Sequence, residues 1–344
     1  MMNLKERNDW LKLYEIAKDI KALRPQEYLS DFEWLQYESK KYEETFYFCI
    51  IELFGEINAI GIYTSEQLHR FYELIDNDFP SYMMLNYQEG LMCRFDSRED
   101  TLKENRALIK ELGLRFRGTW ISFEHLEKGY QPATLNSVQV NKMIEILSNL
   151  YNMLKQIKEE KLTIDFEAGE TLIRAFDEEK KEYVNKIDKL LVPDIELRTI
   201  IFEGQEKKRF KADVTKIPKK NMSIEFEFLN YFPLSLKDVK ENGRFYFPKI
   251  RFIADHTKKL MYEGDMIDKN NYEGEQEYID ETLDLLVRFF FEFGRPKRIY
   301  VRDIETKVAL QEIADLANIE VTIKSKLKVI DEFLEEFIRF NGGR

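Results

Sequence analysis

Apolar residues in the first 160 positions follow two different spacings. Spacings of three and four residues, which are typical of amphipathic helices, occur in four segments: DWLKLYEIAKDIKAL, EQLHRFYELI, REDTLKENRALIKELG and the stretch from 137 to 157. Continuous apolar runs predict strands, and TFYFCIIELFGEINAIGIY predicts a hairpin that turns near Gly55. We therefore expect an α+β domain over residues 1–160.

Residues 161–220 have a weaker pattern and are predicted to form a strand-rich connecting segment. The apolar runs TLIRAF and EYVNKI flank the charged DEEKK, which predicts a second hairpin. A basic stretch, KKRFKADVTKIPKK, follows over residues 207–220. Since the segment is not rich in Ser, Gly or Pro, we expect structured chain between two domains.

Residues 221–344 have the clearest pattern. The predicted elements follow the order β-β-β-α-β-α-β-α, in the segments MSIEFEFLNYF, PKIRFIAD, KLMYEGDMI, EQEYIDETLDLLVRFFFEFG, PKRIYVRD, ETKVALQEIADLAN, IEVTIK and LKVIDEFLEEFIRF. Strands joined by tight turns pair antiparallel, whereas strands separated by helices pair parallel through crossover connections. The order predicts a mixed sheet with flanking helices, and so an α+β protein of two domains.

The composition supports two ordered domains and narrows the class of protein. Of the 344 residues, 44% are apolar and 14% are aromatic, which is enough for two packed cores. The net charge of −11 is not typical of a nucleic-acid-binding protein. No apolar run reaches the roughly 20 residues that span a bilayer, and two cysteines exclude a disulfide framework. We therefore expect a cytoplasmic protein without a membrane segment.

Several common catalytic motifs are absent from the sequence. Neither G-x-G-x-x-G nor G-x-x-x-x-G-K-[ST] occurs, which argues against a Rossmann dehydrogenase and a P-loop enzyme. The G-x-S-x-G elbow of α/β-hydrolases is missing as well. His256 lies in a predicted turn beside Asp255, and no other His or Cys stands at the spacing of a zinc site.

Asp303 has two interpretations, because it follows a predicted strand and precedes a predicted helix. An acid at the end of a strand is a typical ligand of the metal ions used in phosphoryl transfer. An aspartate before a helix is also a typical N-cap, which accepts hydrogen bonds from the first turn. Glu225 and Glu227 alternate with apolar residues in their predicted strand, which predicts that both face solvent.

The basic residues near the domain junction are candidates for binding nucleic acid. The candidates are Lys207, Lys208, Arg209, Lys211 and Arg298. Phe210 lies among them, and an aromatic ring between basic residues is typical of a surface on which bases stack. The alternative interpretation is a solvated connector whose charge offsets an acidic protein.

The order of elements and the local sequence PKRIYVRDIET resemble the ribonuclease H-like fold of integrases and DDE transposases over residues 221–344. The whole chain also resembles a bacterial two-domain family that contains a domain of unknown function. The ribonuclease H-like resemblance implies carboxylates that hold two Mg²⁺ or Mn²⁺ ions. The matching positions are Glu225 or Glu227 on the first strand, Asp303 after the fourth strand, and Asp331, Glu332 or Glu335 on the last helix. The first-strand residue is Asp in active members, whereas this chain has Glu.

Two hypotheses of different class follow. The first is a non-catalytic interaction or scaffold protein that binds a protein partner, needs no cofactor and carries a degenerate ribonuclease H-like domain. The second is a nuclease or strand-transfer enzyme that uses Mg²⁺ or Mn²⁺, with Glu227 and Asp303 as metal ligands and Glu335 as the third catalytic carboxylate. In the second hypothesis, the basic residues of 207–220 and Arg298 bind the nucleic acid. The missing first-strand Asp and the acidic net charge favour the first hypothesis.

Overall fold

The structure is a computed structural model that contains two compact units. It describes residues 2–76, 88–192, 200–228, 240–241 and 244–341. Of these, the first unit contains 2–72, 88–127 and 132–192, and the second contains 73–76, 128–131 and the described residues from 200 onward.

Helices and strands are mixed throughout the described residues. The helices are α1 (Leu4–Leu23), α2 (Ser65–Asp76), α3 (Lys103–Leu112), α4 (Ser137–Glu160), α5 (Lys207–Asp213), α6 (Glu275–Phe293), α7 (Ile304–Ala317) and α8 (Lys328–Asn341). The strands are β1 (Leu35–Ser39), β2 (Glu44–Leu53), β3 (Glu56–Thr64), β4 (Gly90–Asp96), β5 (Trp120–Leu126), β6 (Ala133–Thr134), β7 (Glu170–Asp177), β8 (Glu182–Lys189), β9 (Ser223–Glu227), β10 (Lys240–Glu241), β11 (Arg244–Phe245), β12 (Lys249–Asp255), β13 (Leu260–Ile267), β14 (Arg298–Val301) and β15 (Glu320–Ile323). In these described parts of the chain, no helix is both long enough and apolar enough to cross a bilayer.

The first unit is built on an eight-stranded sheet with the strand order β6-β5-β4-β3-β2-β1-β7-β8. Neighbouring strands pair antiparallel except β1 and β7, which pair parallel. Apolar stripes of α1, α3 and α4 pack against one face and form the main core of this unit. Both α1 and α4 begin with an asparagine capping box, which satisfies the first-turn N–H groups and fixes where each helix starts.

Three strands of this sheet, β1, β5 and β6, have no counterpart in the predicted pattern. β1 is only five residues long, and β5 alternates its apolar residues with Ser122 and Glu124, which are buried although they are polar. The hairpin predicted around DEEKK is present as β7 and β8. Because β7 pairs with β1, this hairpin completes the first sheet, so residues 161–192 belong to the first unit instead of to a connecting segment over 161–220.

The second unit is built on a five-stranded sheet with the order β13-β12-β9-β14-β15, and β10 and β11 form a separate two-stranded ribbon. β12 pairs antiparallel with both β13 and β9, whereas β14 pairs parallel with both β9 and β15. The long strands and helices therefore follow the predicted order, with α6, α7 and α8 after β13, β14 and β15. The two-stranded ribbon between β9 and β12 is an addition to that order.

Both faces of the five-stranded sheet are covered. α6 and α7 pack on one face, where Ile224 and Phe226 of β9 contribute to the core. α8 packs on the opposite face through a smaller apolar cluster that includes Ile330 and Leu334. The alternate residues of β9 on that face, Glu225 and Glu227, are completely buried. The expectation that they face solvent is therefore wrong, because the last helix covers their side of the sheet.

A strained residue forms the turn between β2 and β3. The two-residue loop consists of Phe54 and Gly55, with φ of 53° and 80°. A tight hairpin turn requires positive φ at both positions, for which Asn-Gly is the preferred pair. A bulky residue is disfavoured there, and the ring of Phe54 is 95% exposed. Packing therefore gives no compensation for the strained backbone at this position.

Replacing Phe54 with Asn should stabilise the protein. Asn tolerates left-handed backbone geometry, so we expect F54N to raise the free energy of unfolding by about 1 kcal/mol. Urea denaturation would show a higher midpoint with an unchanged slope. F54A is the matched control, because it also removes the exposed ring but keeps a residue that disfavours positive φ. Equal stability of F54N and F54A would contradict the explanation.

Candidate functional site

Arg302 lies at the centre of a buried cluster at one end of the second sheet. Its Nε donates to Oε2 of Glu227 at 2.6 Å, and Nη2 donates to Oδ1 of Asp331 at 2.6 Å. Nη1 donates to the carbonyl oxygen of Ser325. Arginine has five N–H donors in a planar fork, so one guanidinium can hold acceptors from three directions.

The parallel pairing of β9 and β14 brings these residues together. Glu227 is the last residue of β9, and Arg302 directly follows β14, so both lie at the carboxyl end of adjacent parallel strands. Ser325 lies between β15 and α8, and Asp331 lies in the first turn of α8. Arg302 therefore connects the central strands to the chain that enters the last helix.

The electrostatics of this cluster are dominated by burial. The side chains of Glu227 and Arg302 are both fully buried. Burial raises the pKa of Glu227 from 4.5 to about 7, although Arg302 favours the carboxylate form; the nearby Asp303 and Asp331 raise it further. One guanidinium thus faces several acidic groups, so protonation of Glu227 relieves part of their repulsion.

Glu225, two residues before Glu227 on β9, also binds the last helix. Its Oε2 accepts hydrogen bonds from the backbone N–H groups of Val329 and Ile330 at 2.9 and 3.1 Å. Its Oε1 lies 2.5 Å from Nδ1 of His256, in the turn between β12 and β13. A carboxylate at the first turn of a helix satisfies unpaired N–H groups and interacts favourably with the helix dipole. Both glutamates of β9 therefore position α8.

Asp303 is the N-cap of α7. Its backbone is extended, and its Oδ1 accepts a hydrogen bond from the backbone N–H of Thr306 at 2.7 Å. The Thr306 hydroxyl lies 3.1 Å from the other carboxylate oxygen. Burial raises the pKa of Asp303, while the Thr306 N–H and the charge of Lys128 lower it. The capping interpretation of Asp303 is confirmed, and its carboxylate lies close enough to Glu227 to raise the pKa of that group.

Glu335 does not join this cluster. It lies on the exposed surface of α8, one turn after Asp331. The last-helix carboxylate that the structure brings to Glu227 through Arg302 is therefore Asp331. Among the residues that the structure describes, no group of three or more His, Cys, Asp and Glu side chains is arranged to hold a metal ion.

The basic residues at the start of the second unit are largely paired with acids. Lys207 and Lys211 form ion pairs with Glu312 at 3.2 and 2.7 Å, and Arg209 lies 3.4 Å from Glu206. Lys208 is exposed. Phe210 is completely buried and packs against the core of the unit. The suggestion that its ring stacks on a base is therefore wrong, because Phe210 is the apolar anchor of α5.

Arg298 is likewise paired. Its Nη2 donates to Oε2 of Glu320 at 2.5 Å, across the adjacent parallel strands β14 and β15. Its Nη1 lies 3.5 Å from the hydroxyl of Tyr300, which lowers the pKa of that phenol. The charge of Arg298 is thus used within the sheet.

Glu227 and Asp331 are candidate acids from the sequence alone, but their pairing with Arg302 is not predicted. One feature of the sequence did point to a role for Arg302. It directly precedes the N-cap Asp303 and continues the alternating pattern of β14 by one residue. Its meaning depends on partners that are 75 and 29 residues away in sequence. Only the sheet order and the position of α8 make these partners visible.

Comparisons with known proteins match two separate stretches of the chain. Residues 10–174 match the family described as Domain of unknown function (DUF7309). Residues 211–338 match a second family, described as Domain of unknown function (DUF6930). Searches of the curated proteins and of the solved structures found no match. The comparisons therefore support two domains and assign no activity to either.

The protonation of Glu227 should make stability depend on pH. Because its folded-state pKa lies at about 7, above the ordinary 4.5, the folded protein holds this proton more tightly than the unfolded chain does. The wild type should therefore lose stability relative to E227Q as the pH rises from 4.5 to 7. The loss is at most about 3 kcal/mol. Urea denaturation of both proteins across this range measures it, and a relative gain with rising pH would show that Arg302 lowers the pKa.

The capping role of Asp303 makes a separate prediction. D303A removes the acceptor for the Thr306 N–H and should lower the free energy of unfolding by about 1 kcal/mol. D303N keeps a capping side chain and should cost much less. Equal destabilisation by the two substitutions, measured by urea denaturation, would show that the charge of Asp303 matters more than the cap.

Proposed function

We propose that this chain is a non-catalytic interaction protein whose second unit is a ribonuclease H-like domain with a degenerate acid site. In the sheet order β13-β12-β9-β14-β15, β12 pairs antiparallel with both of its neighbours, whereas β14 pairs parallel with both of its neighbours. This arrangement supports the assignment. The helices that follow the third, fourth and fifth long strands support it as well. The sequence over 221–344 predicts the same order.

The observation that carries the proposal is the pairing of Arg302 with both Glu227 and Asp331. In an active site of this class, carboxylates at these positions would turn their oxygens toward divalent cations. Here Oε2 of Glu227 and Oδ1 of Asp331 each accept a hydrogen bond from a fixed, permanently charged guanidinium. A cation bound to the same oxygens would lie against that positive charge. This set of residues does not fit a pair of Mg²⁺ or Mn²⁺ ions.

The neighbouring acids support the same proposal. The carboxylate of Glu225 caps α8, and that of Asp303 caps α7, so each already has a structural partner. Glu227 replaces the aspartate that active members carry on the first strand, and Mg²⁺ demands near-ideal octahedral geometry. Because basic residues around α5 are paired with acids, less positive charge is available there to bind a nucleic acid.

One observation favours the alternative, a metal-dependent nuclease or strand-transfer enzyme. Glu227, Asp303 and Asp331 lie close enough together that the two aspartates raise the pKa of the glutamate. If Arg302 moved away, these three carboxylates would be the metal ligands. The alternative therefore requires a rearrangement of a fully buried arginine, which would leave buried acids without their partner.

A protein partner in a reducing compartment is part of the proposal. Cys49 and Cys93 are both buried free thiols, which suits the cytoplasm. The nucleic-acid role of residues 207–220 belongs to the alternative.

Titration with Mn²⁺ tests the proposal. Mn²⁺ prefers carboxylate ligands and generally binds more tightly than Mg²⁺. We expect no saturable thermal stabilisation of the wild type and no Mn²⁺-dependent cleavage of single- or double-stranded DNA or RNA. R302M, which removes the guanidinium, should be destabilised by roughly 3 kcal/mol or more. Saturable stabilisation of the wild type that E227Q and D303N both abolish would overturn the proposal in favour of the alternative.

A further inference from the structure

Arg174 is a half-buried arginine that has no acidic partner among the residues that the structure describes. It lies on β7, directly opposite Tyr37 of β1 and Asn185 of β8. Its Nε donates to Oδ1 of Asn149 on α4 at 2.7 Å, and its Nη1 donates to Oδ1 of Asn185 at 3.0 Å. Both partners are neutral amides, so they orient the guanidinium without neutralising its charge.

The two amides are themselves held in place. Nδ2 of Asn149 donates to the carbonyl oxygen of Glu145 at 3.0 Å, and Nδ2 of Asn185 donates to Oε1 of Gln156. These contacts fix which end of each amide faces Arg174. A guanidinium has five N–H donors, and the two amide oxygens use two of them. The other three have no hydrogen-bond partner in the described part of the chain.

Two other arginines show how this protein usually compensates a buried guanidinium. Arg302 binds two carboxylates at 2.6 Å, and Arg251 binds two at 2.8 and 3.0 Å. Burial lowers the pKa of Arg174, and the phenols of Tyr37 and Tyr183 oppose this shift only in part. A desolvated charge without a counter-charge is costly. The site is therefore stabilised by an anion that comes from outside the chain.

We propose that Arg174 is the anchor of a binding site for a small oxyanion, either a carboxylate or a phosphate. The planar fork of an arginine matches two oxygens of either group. The ring centroid of Tyr183 lies 5.5 Å from Cζ of Arg174, and this cation–π contact stabilises the guanidinium without supplying a counter-charge. All of these residues lie in the first unit. The inference thus goes beyond the proposed function, which rests on the second unit.

The alternative role for Arg174 is a purely structural link from α4 to the hairpin of β7 and β8. An aspartate at position 185 would accept the same hydrogen bond and would also neutralise the guanidinium. N185D therefore separates the two roles, because it supplies an internal anion and keeps the arginine. A structural link tolerates this change, whereas an anion site loses its ligand.

Calorimetric titration of the full chain with sodium phosphate, and separately with sodium succinate, tests the inference. We expect saturable binding of at least one anion, with a Kd of about 1 mM or below. N185D should weaken this binding by at least about tenfold, because its carboxylate occupies the guanidinium. R174M should abolish it. Circular dichroism checks that each variant folds, and N185D decides the question if R174M does not fold.

The two titrations identify the source of the anion. Binding of phosphate alone indicates a phosphate ligand, and binding of succinate alone indicates a carboxylate ligand. A constant ionic strength keeps general screening equal in both titrations. Calorimetry is preferred to thermal shift, because phosphate stabilises most proteins through its exclusion from their surface.

Matched controls separate a built site from general attraction to positive charge. N152D adds the same charge on the exposed surface of α4, and R117M removes an exposed arginine elsewhere. Each should change the affinity by less than about twofold, because exposed charges are screened. No saturable binding of either anion, equal binding by wild type and N185D, or equal effects of N185D and N152D would overturn the inference. None of these outcomes bears on the Mn²⁺ titration, so the two proposals can fail separately.

Discussion

Arg302 imposes the constraint on which the arrangement of the second unit depends. A buried guanidinium is stable only when charged or polar partners surround it, and here they come from β9, from the chain after β15 and from α8. None of these elements can move without leaving a buried charge unpaired. The last helix is therefore held by these polar contacts together with the apolar cluster beneath it. Glu225 strengthens the same attachment by capping the first turn of that helix.

This attachment gives a physical reason for glutamates on the first strand. A metal site needs short carboxylates held at fixed distances, whereas a link between a strand and a helix needs a longer side chain. The side chain of Glu225 extends from β9 to the backbone of Val329 and Ile330, and that of Glu227 extends to Arg302. The extra methylene that disturbs octahedral coordination is useful for such a link. Burying both carboxylates is costly, so they need the partners that α8 and Arg302 supply.

Local features of this fold could be predicted from the sequence, whereas features that depend on distant contacts could not. The cap at Asp303 depends on a residue only three positions away, and the hairpin at Gly55 depends on a two-residue turn. Both can therefore be predicted from short stretches of chain. The alternation of β9 predicts which residues share a face, but not that α8 covers the polar one. Phe210 illustrates the same limit, since its basic neighbours suggest an exposed segment while its own side chain is buried. β1, β5 and β6 were missed, because β1 and β6 are short and β5 buries polar residues.

The buried cluster orders the first turn of α8. Glu225 and Asp331 are both engaged at the first turn of α8, and the exposed Phe340 lies near its last turn. These carboxylates thus serve to hold the helix in place. The same arginine, Arg302, thus links the central strands of the sheet to its last helix.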